Sequence, residues 1–104
     1  MQRVIDRKLY DTNRAEQIAQ HAPNTDRGDL YYLIETLYQT AGGEYFLHCE
    51  GGAATKYAKS CSGGGTTGGA EIDPLDEKAA LDWCEERGID GETVVEEFGH
   101  LIET

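Results

Sequence analysis

Hydrophobic and polar residues alternate over much of the first half of the chain, and a period of two is typical of β-strands. The first alternating segment spans residues 4–10, with Val4, Asp6 and Lys8 on one face. A turn is predicted at residues 11–13, and residues 15–21 then predict either a second strand or a short helix. Residues 21–29 are predicted to form a polar loop, because turn-forming residues are frequent there.

Two segments rich in aromatic and aliphatic residues predict a β-hairpin. They span residues 30–40 and 45–50, and a short connection containing Gly42 and Gly43 joins them. Large apolar side chains occur on both faces of the first segment, so both faces of the hairpin are expected to be covered. We therefore place the hairpin centrally in an antiparallel sheet.

The region after the hairpin is small and polar. Gly51 and Gly52 are expected to end the strand, and residues 53–60 predict a short helix with Lys56 and Lys59 on one face. Five glycines among residues 61–69 predict a flexible loop, since so few side chains are available for packing. Residues 70–72 predict a short final strand.

Apolar residues in the last third recur with helical spacing, which predicts two helices. Asp73 suits the N-cap of the first helix, Pro74 suits its first position, and the helix is expected to run to about Arg87 and end at Gly88. Its predicted buried stripe consists of Leu75, Ala79, Ala80, Trp83 and Cys84. Asp90 is the predicted N-cap of the second helix.

The second helix carries the stronger apolar stripe. Ile89 and Val94 are placed for a hydrophobic staple around its start. The stripe expected to pack on the core consists of Val94, Val95, Phe98, Leu101 and Ile102.

These elements predict an α+β fold in a single domain over residues 1–104. The β-rich part covers residues 1–72, and the acidic helical part covers residues 73–104. A small antiparallel sheet of four or five strands is expected, with the two C-terminal helices and the short helix on one of its faces.

Acidic residues are concentrated in the helical part of the chain. The net charge is −11, and residues 71–104 contain twelve carboxylates against only Lys78 and Arg87. A segregated charge of this size repels nucleic acid and anionic membranes and attracts basic surfaces. We therefore expect a basic protein surface as the partner, with no direct nucleic-acid binding.

Some of these carboxylates recur one helical turn apart, and they are the predicted partner-binding residues. Like charges at this spacing destabilise a helix by roughly 0.2–0.5 kcal/mol per pair, so the pattern has no structural benefit. An array of this kind can resemble a phosphate backbone and fit a groove built for nucleic acid. The alternative, that these side chains form an ordinary solvated surface, remains open. The predicted contacts are Asp82, Glu85, Glu86, Glu92, Glu96 and Glu97.

Catalytic and metal-binding patterns are incomplete in this sequence. His48 and Cys49 are neighbours on a predicted strand and point to opposite faces, so His48 is poorly placed to activate the thiol. If the protein is an enzyme, the candidate catalytic residues are His48, Glu50 and Cys61. No paired cysteine or histidine spacing predicts a metal site, and no cofactor is expected.

Composition also suggests the cellular environment. No apolar segment approaches the roughly 20 residues of a membrane span, and residues 1–10 contain no apolar signal core. Three cysteines at irregular spacing fit reduced thiols better than a disulfide framework. We therefore expect a cytoplasmic protein, as a monomer or a homodimer.

Three motifs resemble a family of small acidic proteins of phages and other mobile elements. They are RKLYDT at residues 7–12, ETLYQT at residues 35–40 and GEYFLHCEGGA at residues 43–53, followed by Lys56 and Tyr57. The resemblance covers residues 5–85. Small acidic proteins of such elements resemble anti-CRISPR inhibitors, some of which imitate DNA. It implies that the protein blocks a CRISPR effector in the host cytoplasm, with a type I Cascade complex favoured over a type II effector.

The leading functional hypothesis is thus a non-enzymatic inhibitor that mimics DNA with its acidic helices. The first alternative is an antitoxin or regulatory module that docks a protein partner through apolar contacts. The second is a small enzyme that uses His48, Glu50 or Cys61.

Overall fold

A four-stranded antiparallel sheet forms the centre of the protein. The structure is a computed structural model and describes residues 1–103. Its strands are β1 (Gln2–Ile5), β2 (Lys8–Asp11), β3 (Glu16–Asn24), β4 (Leu33–Gln39), β5 (Tyr45–Gly51), β6 (Lys59–Ser60), β7 (Thr66–Thr67) and β8 (Gly69–Leu75). Two helices follow, α1 (Glu77–Glu86) and α2 (Gly91–Phe98), and a 3₁₀ turn covers Gly99–Leu101.

The strands form one large sheet and two small ribbons, which confirms the predicted α+β class. The order in the main sheet is β3-β4-β5-β8, and β1-β2 and β6-β7 pair separately. The predicted hairpin of β4 and β5 is confirmed as the central pair of the sheet. Its connection turns at Gly43, which has a φ of 89° that favours glycine.

Alternation along β4 and β5 separates two hydrophobic clusters on opposite faces of the sheet. On one face, Leu37 and Cys49 pack with Trp83 of α1 and Phe98 of α2. On the other face, Phe46 packs with Tyr10 and Tyr38. The sheet therefore lies between the two helices and the N-terminal hairpin.

The predicted strand at residues 4–10 is wrong, because this segment is the β1-β2 hairpin. Val4 pairs with Leu9, and the chain reverses at Asp6 and Arg7. These two turn residues have φ values of 52° and 67°, a region that non-glycine residues rarely adopt. Because the turn contains no glycine, no local pattern predicts a reversal of the chain at this point. For residues 15–21, the strand alternative is the right one, and β3 continues to Asn24 into the predicted loop.

The predicted helix at residues 53–60 is also wrong. This segment consists of turns followed by β6, and Tyr57 is buried in the core. Gly52 lies against the loop before β4, where an added Cβ would be 2.4 Å from the carbonyl oxygen of Leu30. Ala54 donates a backbone hydrogen bond to the same Leu30 oxygen. These long-range contacts outweigh the helical propensity of the alanines and lysines.

The predicted flexible loop at residues 61–69 is partly ordered as the β6-β7 ribbon. Its turn contains Gly63, Gly64 and Gly65, all with φ between 79° and 100°. The predicted strand at residues 70–72 is real and longer, since β8 extends from Gly69 through Pro74 to Leu75.

The helices begin and end largely at the predicted signals, with one correction. The N-cap of α1 is Asp76, whose carboxylate accepts from the Ala79 N–H at 2.7 Å, and Asp73 lies in β8. Gly88 ends α1 with a φ of 63°, and Asp90 caps α2 through the Thr93 N–H, both as predicted.

The C-terminal apolar stripe is shorter than predicted. Helix α2 stops at Phe98, after which the chain tightens into the 3₁₀ turn. Val95 and Leu101, both predicted to pack on the core, are 54% and 44% exposed, whereas Val94 and Ile102 pack against the core.

Candidate functional site: an acidic helical face

Helix α1 presents three of the predicted carboxylates to solvent. Ala80 and Cys84 are buried against the sheet. Asp82, Glu85 and Glu86 lie on the opposite side of the helix and are exposed. The core contacts of α1 thus fix the direction in which these carboxylates point.

Helix α2 adds two more exposed carboxylates. Phe98 is completely buried, with its ring 5.3 Å from that of Tyr45, and Val94 packs beside it. Glu92 and Glu96 lie on the far side and are exposed. We call the five residues Asp82, Glu85, Glu86, Glu92 and Glu96 the acidic face.

Glu97 is a predicted contact with a different environment. It is half-buried, and its Oε1 accepts a hydrogen bond of 2.6 Å from the Tyr45 hydroxyl. Burial, together with this carboxylate, raises the pKa of Tyr45, so the hydroxyl keeps its proton. Glu97 therefore joins α2 to β5 and is less available to a partner than the other five.

The acidic surface extends from α2 to strand β3. Glu16, Thr93, Glu96 and Glu97 line a shallow groove of about 110 Å³ between the two elements. Glu16 was not among the predicted contacts, because it lies far away in the sequence and only the packing of α2 on β3 brings it close.

Few basic groups neutralise this part of the molecule. Lys78 is exposed on α1 one turn before Asp82, and His100 Nε2 lies 2.8 Å from Glu77 Oε2. Arg87, the third basic residue of the helical part, is directed into the protein. The acidic face thus keeps most of its negative charge.

Arg87 binds the carboxylate of Glu35, which is not among the predicted site residues. Glu35 is the third residue of β4 and is only 1% exposed. Arg87 Nε lies 2.7 Å from Glu35 Oε1, without the alignment of a hydrogen bond, and its Nη2 donates to Oε2 at 3.1 Å. Trp83 Nε1 donates to Oε1 at 3.2 Å, and the Tyr57 hydroxyl donates to Oε2. Lys56 Nζ lies 3.6 Å from Glu35 Oε2.

We call Glu35 and its partners Arg87, Trp83, Tyr57 and Lys56 the Glu35 cluster. The Glu35 carboxylate stays ionised despite its burial. Burial alone would raise the pKa of Glu35, but the hydrogen bonds from Tyr57, Trp83 and Arg87 outweigh it and lower that pKa. The cluster connects the sheet with α1 and with the loop before β6. A charged residue on an otherwise apolar face of a central strand was the available signal in the sequence.

The residues of the enzyme alternative do not form one group. Glu50 accepts two hydrogen bonds from Arg27, at 2.6 and 2.9 Å. Burial lowers the pKa of His48, which favours the neutral imidazole. Cys49 lies on the opposite face, where burial raises the pKa of its thiol to about 11. Cys61 is exposed on the β6-β7 ribbon.

A metal-binding cluster and a membrane-spanning helix are both absent from residues 1–103. No three His, Cys, Asp or Glu side chains of that range are grouped so that they could hold a metal ion. None of its helices combines the length and the apolar character required to cross a lipid bilayer.

Comparisons with known proteins add no relative. The chain matches no protein-family model, no curated protein and no solved structure.

Proposed function

We propose that this chain is a non-enzymatic binding protein whose acidic face occupies a basic, nucleic-acid-binding surface of another protein. The observation that carries the proposal is the display of five exposed carboxylates on two helices whose opposite sides are buried. Fixed charges need little ordering when they bind, so a rigid array supports affinity better than a flexible tail does.

The charge balance around the acidic face supports the same proposal. Twelve carboxylates and two basic side chains occur from residue 71 onwards, and Arg87 is occupied by Glu35. A field of this sign accelerates association with a basic surface and weakens as salt is added. The resemblance to anti-CRISPR inhibitors makes a type I effector complex the first target to test.

The test measures binding of a fluorescent target duplex to a purified type I effector complex. We expect the protein to displace the duplex and to lose affinity steeply as the salt concentration rises. The critical variant carries Asp82→Asn, Glu85→Gln and Glu86→Gln. Exposed ion pairs contribute roughly 0.2–1 kcal/mol each, so three losses weaken binding by roughly 3- to 150-fold.

A second variant with the same net charge serves as the control. Gln2→Lys, Asn13→Lys and Ser62→Lys add three positive charges at exposed positions away from the helices. If charge alone governs binding, both variants weaken equally. If the acidic face makes the contact, only the helix variant weakens, and an unchanged affinity of that variant contradicts the proposal.

A second candidate function rests on apolar residues beside the acidic face. Val95 and Leu101 are 54% and 44% exposed at the end of the helical layer. They support the alternative of an antitoxin-like or regulatory module that docks a partner through apolar contacts. Binding that is insensitive to salt and is lost in Val95→Ser favours this alternative over the first proposal.

A further inference from the structure

The outer edge of strand β8 is an open and regular edge of the main sheet. β8 is the last strand in the order β3-β4-β5-β8, and it pairs with β5 along its whole length without a register shift. The opposite edge strand, β3, contains two register shifts and Pro23. Bulges and prolines are the usual means by which an edge is protected from pairing. The β8 edge has only Pro74, near its end.

The hydrogen-bond pattern of the central hairpin defines which groups of β8 face outward. In an antiparallel pair, hydrogen-bonded and non-bonded residue pairs alternate. Thr40 N–H donates to the Glu44 carbonyl at one end of the hairpin, and Gly52 N–H donates to the Tyr32 carbonyl at the other. Both hydrogen bonds indicate that the even-numbered residues of β5 bond to β4. The odd-numbered residues of β5 therefore bond to β8.

It follows that Ala70, Ile72 and Pro74 direct their backbone groups away from the sheet, because their partners on β5 are even-numbered. Pro74 agrees with this assignment, since proline has no N–H and is tolerated in a strand where that group would face solvent. Within residues 1–103, no turn or loop group forms a backbone hydrogen bond to these outward groups. The Ile72 side chain is buried in the cluster that contains Tyr10, which holds the edge in place.

The side chains beside these backbone groups indicate the chemistry of a partner. Glu71 and Asp73 alternate with the outward residues and are exposed. Among residues 1–103 neither forms an ion pair. A second copy fits poorly, because two-fold pairing centred on Glu71, Ile72 or Asp73 places carboxylates opposite each other, and like charges across strands are destabilising. Lysine or arginine at alternate positions of an added strand would instead face opposite charge.

We propose that the outer edge of β8 binds an extended segment of a partner protein that carries basic residues at alternate positions. The segment adds a fifth strand to the sheet. Its main chain bonds to Ala70, Ile72 and the Pro74 carbonyl, and its basic side chains face Glu71 and Asp73. This mode of recognition obtains affinity from the main chain and selectivity from alternate side chains. It is independent of the acidic face on the helices.

The test uses a capped synthetic peptide of alternating lysine and threonine, with an alternating glutamate and threonine peptide as the matched control. Amide hydrogen exchange is followed by NMR. In the free protein, the amides of Ala70 and Ile72 exchange faster than those of Glu71 and Asp73, which bond to β5. With the lysine peptide, the Ala70 and Ile72 amides become protected, and the glutamate peptide has no effect.

Variants separate the edge from the helices. Glu71→Gln with Asp73→Asn weakens lysine-peptide binding by roughly 2- to 30-fold, as expected for two cross-strand charge pairs. Glu86→Gln with Asp82→Asn removes the same charge from α1 and leaves the peptide-induced protection of the Ala70 and Ile72 amides unchanged, because those amides report on the β8 edge alone. These two results are expected even if the acidic face on the helices binds no partner.

A backbone variant tests the strand pairing directly. Ala70→Pro removes one outward N–H and abolishes peptide binding, whereas Ala70→Val retains it. Protection of the Glu71 and Asp73 amides reports that the sheet is intact in each variant. Three results would overturn the proposal: slow exchange at Ala70 and Ile72 without peptide, protection there that grows with protein concentration alone, or peptide binding that leaves both amides unprotected.

Discussion

Replacing the buried carboxylate of Glu35 by an amide is the most informative change to the fold. Glu35→Gln keeps the size of the side chain and removes its charge. The carboxylate receives hydrogen bonds from Tyr57, Trp83 and Arg87 and forms the ion pair with Arg87 at 2.7 Å. The variant leaves the Arg87 guanidinium without its counter-charge in a largely buried position.

The expected loss of stability follows from these contacts. Breaking a buried ion pair by removing one partner costs about 3–5 kcal/mol. Two features reduce that cost here. The Arg87 side chain is 26% exposed, so water partly solvates the remaining charge, and the glutamine oxygen still accepts one neutral hydrogen bond. We therefore expect Glu35→Gln to lower the free energy of unfolding by about 2–4 kcal/mol.

Urea denaturation measures this loss, with Trp83 fluorescence and far-UV circular dichroism as two probes. Trp83 is the only tryptophan of the chain and donates to Glu35, so its emission reports on the cluster itself. Glu50→Gln is the matched control, because Glu50 pairs with Arg27, whose side chain is 61% exposed. Equal losses of stability in the two variants, or a loss below about 1 kcal/mol in Glu35→Gln, would contradict a stabilising role of the Glu35–Arg87 ion pair.

The same cluster predicts a dependence on pH with a definite sign. The pKa of Glu35 is lowered in the folded state from its ordinary value of 4.5. Its contribution to stability is therefore fully present above pH 4.5 and disappears as the pH falls through the folded-state pKa. The stability difference between the native protein and Glu35→Gln should be constant near neutral pH and shrink in acid. A difference that widens on acidification contradicts this assignment.

Two further predictions concern the start of α1 and the cysteines. Asp76→Ala should lower the free energy of unfolding by about 1 kcal/mol because the N-cap hydrogen bond is lost, whereas Asp73→Ala should have little effect. Equal losses in urea denaturation would mean that the helix starts elsewhere. Cys61 should react rapidly with a thiol reagent in the native protein, and the two buried cysteines only after unfolding, since burial raises the pKa of both to about 11. Rapid reaction of all three thiols in the native state would contradict the buried positions.

Elements defined by local patterns could be predicted from the sequence. The central hairpin combines two alternating segments with a glycine-containing connection, and both signals lie within the hairpin itself. Gly88 and Asp90 likewise act on their immediate neighbours, because a left-handed residue and an N-cap need no distant partner. These features are present in the folded protein because the tertiary contacts favour the same conformations as the local sequence does.

Elements that depend on distant partners could not be predicted in the same way. Asp73 followed by Pro74 is a good helix start, but pairing with β5 keeps both residues extended and moves the start to Asp76. Residues 53–60 have helical composition, yet their contacts with the loop before β4 and the insertion of Tyr57 into the core impose turns. In each case the tertiary contacts outweigh a local preference.

The candidate site divides in the same manner. Exposure of the five acidic-face residues follows from helical periodicity, which the sequence contains. Glu35 is different, because its partners Trp83 and Arg87 lie 48 and 52 residues away along the chain. Only the packing of α1 on the sheet brings them together, and no spacing rule connects positions so far apart.

The placement of the basic residues explains how a strongly acidic protein keeps an unneutralised surface and a buried carboxylate together. Two basic side chains, Arg87 and Lys56, surround Glu35, where low exposure makes an unpaired charge most costly. Other basic groups pair outside the helices, as Lys8 does with Glu44 and Arg27 with Glu50. Positive charge is thus located where folding requires it and is scarce beside the acidic face. An arginine turned outward from α1 would leave the negative charge of Glu35 uncompensated and would neutralise part of the acidic face. The inward position of Arg87 therefore stabilises the fold and also preserves the charge of the proposed binding surface.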